Sequence, residues 1–334
     1  MATLTAVDIG YNAVKALGTN GATAHFPSEV GTPITGETFS MAQAKQARMV
    51  IKRPEGQTWP VGETALKQSR YHAGRRDPEW VLTETWEVLL CAALSEIHKG
   101  TVNTSLVTGL PLEHWAALAD PLSERLIGEH RFKRNGGRWQ AVTIDDVVVI
   151  TQPYGSLLDQ AMADTGRILP GSPFAEGTVA IADLGGNTLN LLVTDALEEV
   201  GQWTQGDGLG LLPALDAIAR DIHRAHPGIT PKAREVSSWL AAGSFPYQGK
   251  EHDIGPFAEP HLEPLVNMVL NRFSEAWPEP GRYSAVLLTG GGALALGKSL
   301  KARMNGVYAN VTIAEGAHLA NVRGYLKLAR DLWG

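Results

Sequence analysis

One cysteine in 334 residues, Cys91, leaves no partner for a disulfide framework and too few thiolates for a cysteine-built zinc site. Long apolar runs are missing too. No stretch approaches the roughly 18 residues that a membrane-spanning helix needs. The opening MATLTAVDIG has no basic flank ahead of an apolar segment, so a cytoplasmic location is expected. An excess of positive charge is also absent: 29 Lys and Arg stand against 35 Asp and Glu, a formal charge of −6. That balance argues against a body built for direct nucleic-acid binding. What the chain does have is 44% hydrophobic residues, enough to bury one or two cores, and 36 Gly and 19 Pro to punctuate many short elements.

Strand and helix patterns alternate, which predicts an α/β protein. Leu4 to Ile9 and Ala13 to Leu17 read as two strands around a tight turn, and His25-Phe26-Pro27 as a third. Arg48 to Lys52 and Thr58 to Val61 flank a Pro54-Glu55-Gly56 turn. Asp77 as N-cap, Pro78 at the first helical position and Gly100 as a stop predict one helix from Pro78 to about Lys99, with Trp86, Leu90, Ala93 and Ile97 on its buried stripe. Ser105 to Thr108 predicts a strand, Asn135-Gly136-Gly137 a hairpin, and Val147 to Ile150 a central strand. After the loop Leu169 to Pro173 the pattern restarts. Strands are expected at Thr178 to Ala182, Leu189 to Val193 and Ala285 to Leu288, with helices near 211–225, 260–277 and from about Ala320 to Trp333.

The restart is a repeat. Val7-Asp8-Ile9-Gly10-Tyr11-Asn12-Ala13-Val14 lies over Ala182-Asp183-Leu184-Gly185-Gly186-Asn187-Thr188-Leu189, at an offset of 175 residues. Turn chemistry alone favours Asp, Gly and Asn in any hairpin, but both copies stand between apolar strands near the start of each half. A glycine hairpin lets backbone N–H groups converge on phosphate oxygens. A carboxylate at the strand end can hold a hydrated Mg²⁺ through water. Lys15 adds a point charge in the first copy, where the second has Asn190. A third piece, Thr289-Gly290-Gly291-Gly292-Ala293, offers bare backbone to a flat ligand.

In this order the pieces resemble the actin/Hsp70/sugar-kinase superfamily, and among its members the ParM/StbA-type actin-like proteins. Phe26-Pro27-Ser28, Val61-Gly62-Glu63, Val107 to Pro111, Thr151 to Gly155 and Ala320 to Tyr325 look like that branch too. The resemblance implies two related lobes, duplicated ribonuclease-H-like domains, around a nucleotide cleft. Domain I would be 1–165 with a smaller insertion around 30–75, domain II 166–318, and 319–334 a helix packing back toward domain I. Asp8, Gly10, Tyr11, Asn12 and Lys15 would form one phosphate hairpin. Gly185, Gly186, Asn187 and Thr188 would form the other, and Gly290, Gly291, Gly292 and Ala293 the adenosine motif. Asp8 and Asp183 would hold Mg²⁺, and Gln152 with Asp183 would act on the attacking water. Slow hydrolysis of ATP, or of GTP, would then govern a head-to-tail filament in plasmid DNA segregation or a cytoskeleton, with a DNA-binding adaptor as partner and no membrane or direct nucleic-acid contact.

Other readings compete. A small-molecule kinase on the same fold would need a carboxylate base, for which Asp159 is the candidate; a non-hydrolysing nucleotide scaffold would need neither Gln152 nor Asp183. Gly292 to Ser299 fits a Walker A pattern, although such a loop ordinarily follows the first strand of its fold. Gly206-Asp207-Gly208-Leu209-Gly210 lacks dinucleotide spacing and is expected to open a helix. Asp221, His223 and His226 fit a polar helix face better than a metal site. Arg131, Lys133, Arg134 and Arg138, with Phe132 and Trp139, mark a basic hairpin that fits a solvated surface or a filament contact better than a nucleic-acid contact.

Overall fold

The computed structural model describes residues 3–34, 49–54, 56–69 and 78–334. Asp77 and much of the expected 30–75 insertion lie outside the described residues. The chain divides into two compact units, Met1–Ile168 with Asn321–Gly334, and Leu169–Ala320.

Unit 1 begins with strands β1 (Thr3–Ile9), β2 (Ala13–Gly18), β3 (Thr23–Pro27), β4 (Val50–Lys52) and β5 (Thr58–Pro60) and helix α1 (Glu63–Gln68). Then come α2 (Glu84–Ile97), β6 (Thr101–Leu110), α3 (Leu112–Leu126), β7 (Gly128–Arg134), β8 (Trp139–Thr151) and α4 (Gln152–Ala161). The eight strands form one sheet in the order β3-β2-β1-β6-β8-β7-β4-β5. β1 pairs antiparallel with β2 and parallel with β6, and the run Val147 to Ile150 sits in β8, an interior strand between β6 and β7.

The single helix expected from Pro78 is two elements: a 3-10 turn at Pro78–Leu82, then α2. Thr83 makes the break. Its backbone is extended, and its hydroxyl donates to the Trp80 carbonyl at 2.6 Å, closing the first turn before the second begins. The expected buried stripe is also too narrow. Val88, Leu89, Cys91, Ala92 and Leu94 are buried alongside Trp86, Leu90, Ala93 and Ile97, so α2 is covered nearly all round. Cys91 is a core residue there.

His98 ends α2 with its ring buried, Nε2 lying 2.8 Å from Thr5 Oγ1, which in turn meets Thr104 Oγ1 at 2.8 Å. Burial lowers its pKa from 6.5 to about 4. Between those values the unfolded chain binds a proton that the folded chain refuses, so stability falls as pH drops from 6.5 toward 4. The loss amounts to about 3 kcal/mol at roughly 1.4 kcal/mol per unit. His98→Gln is expected to flatten this part of the stability–pH curve in urea titrations; an unchanged slope would acquit His98.

Unit 2 contains α5 (Pro173–Glu176), β9 (Thr178–Leu184), β10 (Leu189–Asp195), β11 (Glu198–Glu199), β12 (Gln205–Asp207), α6 (Leu212–Ala225) and α7 (Ala233–Ala242). It continues with β13 (Ser244–Tyr247), β14 (Lys250–Asp253), α8 (Gly255–Ala276), β15 (Ala285–Thr289), α9 (Ala293–Met304) and β16 (Val311–Ile313). Its main sheet runs β11-β10-β9-β15-β16, with β12 also on β10, while β13 and β14 form a separate hairpin. Helix α8 starts at Gly255 rather than near 260, with Pro256 in its first turn, and it carries Pro260 and Pro264 within it at the loss of two backbone donors.

The last helix, α10 (Ala320–Trp333), completes unit 1 by packing on α4. Its side chains clamp Asp159: Arg323 Nε lies 3.0 Å from Oδ2 and Lys327 Nζ 3.0 Å from Oδ1. Lys327 also donates to the Asp159 carbonyl at 2.6 Å. Glycines set the spacing. A Cβ on Gly324 would stand 1.7 Å from the Gly155 carbonyl oxygen, and one on Gly109 2.0 Å from the Tyr325 hydroxyl.

Candidate functional site

In unit 1 the site is built at the β1–β2 turn. Asp8, the penultimate residue of β1, is buried at 2% exposure and faces Lys15 across the ladder. Lys15 Nζ lies 2.8 Å from Asp8 Oδ2, and Gln152 Nε2 donates to Asp8 Oδ1 at 3.2 Å. Gln152 can reach because Thr151 ends β8 in extended backbone and α4 starts at once, with Pro153 fixing its first turn. The turn closes through Gly10 N–H to the Ala13 carbonyl at 3.1 Å. Ser28 props it from behind, its hydroxyl donating to the Gly10 carbonyl at 2.6 Å and its N–H to the Asn12 carbonyl. Asn12 is exposed at the tip, and Tyr11 stacks on Trp80 with ring centroids 5.8 Å apart.

Unit 2 repeats the construction residue for residue. Asp183 stands at 4% exposure near the end of β9 and faces Asn190, as Asp8 faces Lys15. Gly185 N–H donates to the Thr188 carbonyl at 2.8 Å, the counterpart of the Gly10–Ala13 bond. A parallel strand then flanks each hairpin: β6 beside β1, and β15 beside β9, with Thr289 level with Asp183. The 175-residue offset is therefore a duplication of strand register and turn bonding as well as of letters.

The glycines after β15 pack against this second hairpin. Gly290 has φ +83°, and a Cβ there would fall 2.2 Å from Asp183 Oδ1 and 2.5 Å from the Leu184 carbonyl. Only glycine fits. Gly292 N–H donates to the Leu184 carbonyl at 2.7 Å, while Gly291 faces open space and Ala293 starts α9. Gly210 is a member that spacing rules overlooked. A Cβ there would meet the Gly186 carbonyl at 2.2 Å, and the N–H groups of Leu211 and Leu212 donate to the carbonyls of Gly185 and Gly186. The 206–210 run thus both opens α6, as expected, and braces the hairpin.

The competing readings lose their geometry. Asp159, candidate base for a kinase, is buried and engaged by Arg323 and Lys327. The Walker-like run Gly292 to Ser299 lies almost wholly within helix α9, with Lys298 exposed, so it forms no phosphate loop. His223 bonds the Ile229 carbonyl, and Asp221 engages His261 and Arg224. His226 packs against Phe245, Tyr247, His252 and Phe257. Among the described residues no three His, Cys, Asp or Glu side chains gather to hold a metal, and no helix is long and apolar enough to cross a membrane.

Comparison with known proteins gives a consistent answer. Residues 6–155 match the family described as actin-like proteins, N-terminal domain, and residues 181–302 match the archaeal actin homologue MreB-like family, C-terminal. No curated protein sequence matches the chain. Among solved structures, the archaeal actin homologue Ta0583 superposes with a TM-score of 0.80 at 19% identity, over 98% of this chain and 99% of its own. ParM from Clostridium botulinum, solved as a 15-stranded filament, gives 0.78 at 19%, over 98% and 99%. ParM from Bacillus thuringiensis, solved with ATP, gives 0.71 at 14%, over 97% of each chain. These likenesses extend the shared fold over nearly the whole length. With a duplicated hairpin in its two sheets and a domain family matched in each half, the chain carries an actin-like N-terminal domain and an MreB-like C-terminal domain on an actin-like fold.

Proposed function

We propose that the chain binds Mg-ATP, hydrolyses it slowly and assembles into head-to-tail filaments, serving DNA segregation or a bacterial or archaeal cytoskeleton. The duplicated hairpin carries this reading: an acidic residue, a glycine turn and the same closing bond occur in both units. A glycine turn of this kind can offer backbone N–H groups to phosphate oxygens, the chemistry a triphosphate requires. Among relatives, Ta0583 has been solved in complex with ADP, and the C. botulinum ParM is a filament.

Residue roles follow from the contacts. Gly10, Tyr11, Asn12, Gly185, Gly186, Asn187 and Thr188 would cradle phosphates, with Lys15 held in place by Asp8 as a fixed cation. The open backbone at Gly291, between Gly290 and Gly292, would receive the adenosine. Asp8 and Asp183 would hold the metal through its waters, which suits Mg²⁺, an ion that keeps most of its hydration shell. Gln152 would orient the attacking water. A carboxamide cannot accept the proton, so positioning does most of the work and turnover is slow. A heterologous contact whose rotation does not close makes a filament rather than a ring.

The test is light scattering with pelleting and phosphate release, in ATP and separately in GTP. Scattering is expected to rise on adding Mg-ATP and to decay as phosphate appears. A chain that stays in the supernatant with either nucleotide refutes the assembly reading, and phosphate release that starts only with an added sugar would point to a kinase.

A further inference from the structure

Two surface features set like charges directly opposite each other, with opposite signs. On β4 and β7, Lys52 is the register partner of Lys133, and Lys133 in turn faces Trp139 on β8. This row lies on the sheet face opposite α2: the alternate residues Ile51 and Phe132 are fully buried, and Arg134 pairs with Glu96 of α2. Lys133 Nζ sits 4.9 Å from the centre of the Trp139 ring and Arg131 Cζ 5.8 Å, with Trp139 40% exposed. Among the described residues neither Lys52 nor Lys133 has a carboxylate partner.

On the edge of the unit 2 sheet, Asp195 is the register partner of Glu198, with Glu199 beside it, all three exposed. Like charges in directly opposed positions destabilise a ladder unless a counter-charge relieves them. The charge is partitioned in the same sense. Residues 169–320 hold ten Lys and Arg and sixteen Asp and Glu, leaving nineteen of each in the rest of the chain, so the whole net charge of −6 belongs to unit 2.

We propose that the Lys52–Lys133–Trp139 face of one copy docks on the Asp195–Glu198 edge of a second copy, each relieving the other's like-charge pair. The contact is heterologous, so it propagates. It rests on the assembly reading above and gives that assembly a surface. A second copy is favoured over nucleic acid because the chain carries a net charge of −6 and itself offers, at Asp195 and Glu198, the counter-charges that this face lacks.

The experiment compares wild type, Lys52→Glu/Lys133→Glu, and that variant with Asp195→Lys/Glu198→Lys added, by pelleting in Mg-ATP against protein concentration. Thermal unfolding and fluorescent-ATP binding serve as fold controls. The double variant is expected to raise the concentration needed for pelleting about tenfold or more, the compensated variant to recover most of it, and added salt to weaken wild type. Should the double variant lose its unfolding transition, Lys133→Gln gives the same reading at about threefold. If wild type and a folded variant pellet equally, this contact is wrong and the filament reading stands. If wild type never pellets, both fall. If the variant pellets normally but loses a duplex-DNA shift seen with wild type, the face is a nucleic-acid surface and the proposal is overturned.

Discussion

Asp183→Ala is expected to lower ATP hydrolysis about 10²–10³-fold while ATP-dependent pelleting survives. The factor is that of removing one preorganised charge-stabilising group from the reacting centre. Asp183 is buried near the end of β9, level with Thr289, with its Oδ1 close against Gly290. The hairpin beyond it closes through Gly185 and Thr188 and is braced by Gly210, and none of these bonds needs the carboxylate. Nucleotide binding should therefore weaken far less than turnover. Single-turnover phosphate release, read beside pelleting, separates the two. Equal rates in mutant and wild type would remove Asp183 from the mechanism, and loss of pelleting together with turnover would make it a binding residue.

The largest stability effect is expected at Asp159. Its carboxylate is 4% exposed and serves two cations, Arg323 and Lys327, of which Lys327 is itself 11% exposed. Asp159→Ala would strand the Lys327 charge between α10 and α4, and breaking a buried pair in this way costs about 3–5 kcal/mol, while Arg323, 31% exposed, stays partly hydrated. Urea unfolding followed by a unit 1 signal should record that loss. Removing all three charges together, with Asp159→Leu, Arg323→Met and Lys327→Met, is expected to recover most of it. A loss below about 1 kcal/mol for the single variant would mean that water reaches the trio.

What could be read without coordinates was local. Asp8-Ile9-Gly10 and Asp183-Leu184-Gly185 announce themselves because strand, turn and acceptor lie within a few residues, and α10 because its apolar spacing is regular. The partners of Asp159 lie 164 and 168 residues further along, so no window could pair them, and the same carboxylate looked available as a base. Helix α7 and the β13–β14 hairpin went unforeseen because their strands are four residues long and largely polar. The Gln248-Gly249 turn, with φ of +49° and +73°, was their one local signal. Break and cap at Thr83 hid inside an unbroken helical pattern, since one extended residue leaves the periodicity on either side intact.

The return of α10 to unit 1 bears on how the chain is made. Unit 2 is continuous in sequence, whereas unit 1 needs residues that follow all of it. At about 5–20 residues per second, a ribosome would leave α4 without its clamp for roughly 8–30 seconds. During that interval the Asp159 carboxylate waits for its cations, and the glycine seam at Gly155 is open. Nascent unit 1 is thus the stage most open to chaperones and proteases, and it matures only after its neighbour has been translated.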